Sequence, residues 1–191
     1  MARSSPGDIV LITAHTHKAV DELLLRLDRL LPILQEHATN SRLSLPSIKL
    51  SKVHSKEIKI TGGNIYDFSA ESCFKKINDL RGKKTTKKTT QYNSVLVIGG
   101  TTGAILKMLE KLEKLKTFTQ SYPQGFQTTT LIVDEASMMV FPHFLALATL
   151  VKNDGEIMLA GDHRQLTPII THDWENEDRS TVGFYRIINN Y

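Results

Sequence analysis

The 191-residue chain has a single cysteine, Cys73, and no long uninterrupted apolar run. One thiol excludes an internal disulfide, and a chain without an apolar stretch of roughly 18 residues offers no membrane-spanning helix. The N-terminal "MARSSPGDIV" likewise lacks the apolar core of a secretory signal. Together these absences point to the cytoplasm. Also missing is a glycine-rich loop ending in Gly-Lys-Ser/Thr after a strand, the element that cradles nucleotide phosphates. "RGKKTT" at 81–86 has Gly82 and Lys83, but Lys84 holds the Ser/Thr position, Ile77 replaces the upstream glycine, and no strand precedes it. "GGTTG" at 99–103 has the strand-turn-helix setting but no lysine. With Ile98 in place of the first glycine, a dinucleotide fingerprint is incomplete as well.

What is present is enough for one globular domain: 40% of residues are hydrophobic. The net charge of +4 is a mild basic bias, compatible with a polyanionic partner but shared by many proteins that bind none. "DIVLITA" (8–14) reads as a buried strand. From Lys18, apolar positions Val20, Leu23, Leu24, Leu27, Leu30 and Leu31 recur at helical spacing, and Pro32 is expected to close that helix. A second strand at 94–98 leads through Gly99, Gly100 and Gly103, read as a turn, into an amphipathic helix over 104–116. "TLIVD" (130–134) and "EIMLAGD" (156–162) are a third and a fourth strand, with a crossover helix within 140–152. Strands alternating with helical patterns predict a doubly wound parallel α/β sheet.

Residues 36–93 break that rhythm and are expected to be an insertion between core elements, leaving 1–35 and 94–191 as the main body. Within it, "IKLSKV" and "EIKI" suggest short strands, and "SAESCFKKINDL" a short helix capped by Ser69 or Ser72. The basic "RGKKTTKKTTQ" (81–91) is most simply a solvated loop; Lys83, Lys84, Lys87 and Lys88 are its candidate nucleic-acid contacts.

In a parallel sheet, ligands collect at the carboxyl ends of the strands. The polar clusters fall there: "AHTHK" after the first strand, "GGTTG" after the second, "DEAS" after the third and "GDHRQL" after the fourth. Adjacent carboxylates at a strand end are costly unless compensated. Asp134 and Glu135 suit a pair in which one acid holds Mg²⁺ and the other acts on the water attacking a γ-phosphate. Gly161 permits close backbone approach, Asp162 can tie down neighbouring loops, and Gln165 offers an uncharged group for sensing a phosphate.

"LIVDEAS" followed by "MLAGDHRQLTP" resembles motifs II and III of superfamily 1 helicases, closest to the DNA/RNA helicase group that includes the nonsense-mediated-decay helicase and the Okazaki-fragment helicase-nuclease. "LITAHTHKAVDELLLRL" resembles motif Ia, "VLVIGGTTGAI" the motif after it, and "STVGFYRI" the segment leading to the second motor domain. In this group the insertion's position often carries an accessory subdomain. The resemblance implies a RecA-like sheet, part of a P-loop NTPase domain, working with Mg²⁺ and ATP. It implies that Asp134 holds the metal, Glu135 is the general base and Gln165 contacts the γ-phosphate. Gly161 and Asp162 would line the nucleotide site. Thr16, His17, Lys18, Thr101 and Thr102 would contact the backbone of single-stranded DNA or RNA. "His-Thr-His-Lys" replaces the Pro-Ser-Asn type sequence of many members.

With the lysine-bearing loop absent, the expectation is an internal piece of a larger helicase core that works with the remainder of that core and hydrolyses little ATP alone. Two other readings compete: a non-catalytic nucleic-acid-binding module on the same scaffold, and a Rossmann-like enzyme using "GGTTG", which leaves "DEAS" and "GDHRQL" unexplained.

Overall fold

A computed structural model describes residues 5–54, 63–70, 72–85, 90–122 and 124–162. In chain order its elements are β1 (Ile9–Ala14), α1 (His17–Asn40), β2 (Ser47–His54), β3 (Ile65–Ser69), α2 (Cys73–Leu80), β4 (Lys84–Thr85), β5 (Thr90–Gln91), β6 (Ser94–Thr101), α3 (Thr102–Glu113), α4 (Lys116–Ser121), β7 (Thr128–Val133), α5 (Phe141–Ala148) and β8 (Val151–Leu159). Six strands form one sheet in the order β3-β2-β6-β1-β7-β8, with every neighbouring pair parallel. β4 and β5, at the two ends of the basic stretch, pair antiparallel.

The central strands are apolar on both faces because helices cover both. Ile9 and Leu11 of β1 and Leu96 and Ile98 of β6 join a core closed by α2, α3, α4 and α5. Their alternating neighbours Val10, Ile12, Val95 and Val97 face Val20 and Leu24 of α1. Period-two alternation thus feeds two separate cores, as a doubly wound sheet requires. The result is a RecA-like α/β arrangement. No helix among the described residues is long and apolar enough to cross a membrane.

The structure differs from the sequence pattern at four places, one being the fourth strand, which begins at Val151, inside the 140–152 segment read as a crossover helix, and ends at Leu159. Pro32 does not end α1, which continues for eight more residues to Asn40. Pro32 is exposed, so water can take the backbone bond that a proline cannot make. Just beyond it Ile33 and Leu34 are exposed, while Ala38 is buried again. Residues 36–93, read as an insertion, supply β2 and β3 to the main sheet, and β2 lies directly against β6. β2 is buried from Leu50 to His54 despite three polar side chains in that span, which is why it reads weakly as a core strand. "EIKI" lies outside the described residues. Ser72 is the N-cap of α2, though its side chain makes no capping bond.

Gly99 and Gly100, read as a turn, are the last buried positions of β6. A Cβ at Gly99 would stand 2.8 Å from Leu24 Cδ1, and one at Gly100 would stand 2.6 Å from Val53 Cγ1 and 3.1 Å from Ile105 Cγ1. The missing side chains let α1 and α3 pack closely on opposite faces. Gly100→Val should therefore destabilise the chain by about 3 kcal/mol through overpacking. Gly103→Ala, in the first turn of α3 and facing open space, should stabilise it by about 0.5–1 kcal/mol. Urea midpoints at constant m-value check both signs.

Candidate functional site

Parallel pairing brings the carboxyl ends of four strands into line. Ala14 pairs with Thr101, Thr13 with Val133, and Val133 with Leu159, so the polar clusters after β6, β1, β7 and β8 share one edge of the sheet.

At its centre the chain turns sharply after Val133. The Asp134 amide donates to the Thr13 carbonyl at 2.8 Å, extending the ladder by one bond. Glu135 then adopts the left-handed conformation, φ 53° and ψ 38°, and a short 3₁₀ turn follows over Ala136–Met138. A bulky residue in that region is strained by about 1 kcal/mol or more, the kind of outlier that clusters at active sites. The turn is tied to β8 by Ala136 N donating to Ala160 O (2.9 Å) and Ala160 N donating to Val133 O (2.8 Å). Gly161 makes this approach possible: a Cβ there would lie 3.0 Å from the Ala136 nitrogen and 3.2 Å from that of Ser137.

Asp134 and Glu135 are half-buried, and Glu135 Oε2 and Ser137 Oγ are buried with no hydrogen-bond partner among the described residues. Leaving such groups unmatched is unfavourable by about 1–3 kcal/mol each, more for a charge. The turn is built for something that supplies donors or positive charge. Asp162 is exposed and engaged in an interaction of its own; Gln165 lies outside the described residues.

Beside this turn, two threonines begin helices. Thr16 caps α1, its hydroxyl oxygen accepting from Ala19 N at 3.1 Å, and Thr101 caps α3 by accepting from Ala104 N at 3.4 Å. Each hydroxyl keeps its proton to donate outward. Thr102 Oγ1 lies 3.3 Å from Thr13 Oγ1, linking α3 to β1. His15, Thr16 and Lys18 are exposed, which suits contacts with an external polyanion.

His17 turns partly inward. Its ring stacks on His54 with centroids 6.1 Å apart, and its carbonyl oxygen is 3.5 Å from Lys52 Nζ. Lys52 is buried and ion-paired to Asp21, while His54 Nε2 meets Asp67 Oδ1 at 2.7 Å. Burial first, then the charges of Lys52 and His54, hold the His17 pKa below its usual 6.5, opposed by Asp21. With its folded-state pKa depressed, His17 binds a proton more readily in the unfolded chain. Its contribution to stability is therefore complete above roughly pH 7 and is lost as pH falls through about 6.5 toward the folded-state value. Thermal melts between about pH 5 and pH 7.5 should show a smaller acid loss for His17→Gln than for the unsubstituted chain.

Lys52, Asp21, His54 and Asp67 are not prominent in the sequence, although Lys52 and His54 share one face of β2 by simple alternation. Ser137, two residues past Glu135, is equally easy to overlook.

The family model for the AAA domain matches residues 2–171. The chain belongs to the AAA domain family. It is thus a domain of the P-loop nucleoside triphosphatase type. No curated protein matches it. Among solved structures, a nuclease-deletion mutant of the Type ISP restriction-modification enzyme LlaGI, in complex with a DNA substrate mimic, is similar with TM-score 0.48 and 16% identity. That similarity covers 89% of this AAA domain and 14% of the other chain.

Proposed function

We propose that this AAA domain is part of the first motor domain of a superfamily 1 DNA or RNA helicase, which hydrolyses ATP and couples the reaction to movement along a single strand. Resemblance at "LIVDEAS" and "MLAGDHRQLTP" favours the group that includes the nonsense-mediated-decay helicase. The observation that carries the reading is Glu135: a strained backbone presents a carboxylate whose Oε2 is buried and without a hydrogen-bond partner among the described residues, beside Asp134.

The residues fit Mg²⁺ and a nucleotide. No group of three metal-ligating side chains exists among the described residues, and Mg²⁺ characteristically takes only one or two carboxylates together with substrate phosphates. Asp134 would hold it; when bound, the ion neutralises charge developing on the phosphates. Glu135 would accept a proton from the attacking water, and Gln165 would contact the γ-phosphate. Gly161, with Asp162 beside it, holds the turn that carries both acids. Thr16, His17, Lys18, Thr101 and Thr102 would grip a nucleic-acid backbone along the same edge. β8 is an outer strand with Ile157, Met158 and Leu159 all exposed, a surface suited to a further parallel strand bearing the phosphate loop that these residues lack.

Two measurements test the reading. Alone, the 191 residues should hydrolyse ATP negligibly; joined to a Gly-Lys-Thr loop segment, they should show nucleic-acid-stimulated turnover. Binding of a single-stranded oligonucleotide should weaken about tenfold or more between roughly 50 and 200 mM salt if about three phosphates are held, and Lys18→Ala should reduce the log-log slope by about 0.7. Binding that ignores salt would remove the nucleic-acid part. A second reading is a nucleic-acid-binding module without turnover; persistent inactivity of the joined polypeptide, with salt-dependent binding intact, would select it.

A further inference from the structure

His17 opens α1 and is half-buried; His54 closes β2 and is buried. Lys52 pairs with Gly99, which sets His54 level with Thr101 at the edge where the polar clusters lie. The two rings stack with centroids 6.1 Å apart and planes 28° from parallel. Nδ1 of each ring is buried without a hydrogen-bond partner among the described residues. A transition metal would answer two bare nitrogens, but no group of three metal-ligating side chains exists among the described residues. A proton is the other species an imidazole nitrogen takes.

The surroundings keep that proton off His17. Its own helix contributes Asp21, ion-paired to Lys52; β2 contributes His54 and the buried Lys52, whose Nζ is 3.5 Å from the His17 carbonyl oxygen; β3 contributes Asp67, whose Oδ1 is 2.7 Å from His54 Nε2. His15 and Lys18, on either side along the chain, are exposed. Burial, then the charges of Lys52 and His54, hold the His17 pKa down. Asp21 alone favours the charged ring, and it is committed to Lys52. A neutral ring leaves one lone pair unmet, whereas protonation of Nδ1 would bury an N–H with no acceptor. The positive end of the α1 dipole opposes a further positive charge as well.

We propose that nucleic-acid binding at the start of α1 is linked to protonation of His17: a backbone phosphate beside Thr16 and Lys18 supplies the negative charge that the cluster withholds, and the ring takes up a proton as the strand binds. The inference rests on the nucleic-acid reading given above and adds to it a dependence of the grip on pH. Its sign follows from linkage. A phosphate that favours the protonated ring raises the ring's affinity for a proton, and by reciprocity the proton raises the affinity for the phosphate. The strand is therefore held more tightly as pH falls and released as it rises, whereas the contribution of His17 to folding stability moves the other way.

The test is the affinity of the chain for unphosphorylated oligothymidylate, whose bases do not titrate in the range, from roughly pH 5.5 to pH 8 at fixed ionic strength, with NMR titration of the His17 ring in the free chain and in the complex. Affinity should rise about threefold to tenfold from the alkaline to the acid end, and the His17 midpoint should be higher in the complex by the matching factor. His17→Gln should flatten the profile, while His15→Gln, which removes the exposed imidazole of the same loop, should keep it. Lys52→Met removes a charge that opposes protonation and leaves His17 in place; it should move the rise to higher pH, and it decides the matter if His17→Gln does not fold. Salt-dependent binding that is flat across pH, a profile that survives His17→Gln, or one that vanishes in His15→Gln would each overturn the proposal and leave the nucleic-acid reading standing. Absence of salt-dependent binding at every pH would remove both.

Discussion

Glu135→Gln should lower nucleic-acid-stimulated ATP turnover at least a hundredfold in a polypeptide that joins these residues to a phosphate loop, with nucleotide affinity little changed. Removing a general base typically loses about 10²–10⁴ in rate, and glutamine keeps the shape while losing the ability to accept a proton. Glu135→Gly should be equally inactive but more stable. At φ 53° glutamate occupies a region that glycine enters without strain. The gain should lie between a few tenths and about 1 kcal/mol, or up to about 4 °C in Tm for a chain of this size. Opposite movement of activity and stability is the signature of strain kept for function. Turnover surviving in Glu135→Gln would remove the assignment of the base; a lower Tm for Glu135→Gly would show that the turn is held by glutamate contacts rather than opposed by its backbone.

The fold was legible where apolar pattern and burial coincide. β1, β6 and β7 each carry the run that marks a strand covered by helices, and the acid pair could be located at a strand end because β-branched residues stop at Val133. β2 was less legible as part of the sheet because Ser51, Lys52 and His54 are buried polar residues; pattern reading treats such a segment as peripheral. Each has a partner that only the tertiary structure supplies: the Val97 carbonyl for Ser51, Asp21 for Lys52, Asp67 for His54. Gly99 and Gly100 misled in the same way, since a glycine demanded by close packing is spelled like a glycine demanded by a turn. At the site, strand-end position alone set "AHTHK", "GGTTG" and "DEAS" along one edge, while Gln165 lies outside the described residues. The left-handed backbone of Glu135 and the contact between Gly161 and the following turn are consequences of pairing β7 with β8, which no local pattern encodes.

That buried pairing on β2 leads to the second large effect. Asp21→Asn should destabilise the chain by about 3–5 kcal/mol, roughly 6–20 °C in Tm, whereas Lys52→Met should be close to neutral. The asymmetry follows from burial. The Lys52 side chain is 1% exposed and that of Asp21 is 32% exposed. Deleting the carboxylate strands an ammonium whose remaining contact is the His17 carbonyl at 3.5 Å; deleting the ammonium leaves a carboxylate that water can reach. Methionine also fills the lysine's volume beside Leu50 and α1. Because the stranded lysine can shed its proton, the loss in Asp21→Asn should shrink as pH rises, the reverse of simple carboxylate loss. Adding Lys52→Met to Asp21→Asn should restore most of the stability, giving a coupling energy of several kcal/mol in the double-mutant cycle. Lys52→Met should also raise the His17 pKa toward its usual value, because it removes one of the charges that depress it, and thereby reduce the loss of stability below about pH 6.5. Equal destabilisation by the two single substitutions would show that this pair contributes through packing rather than charge.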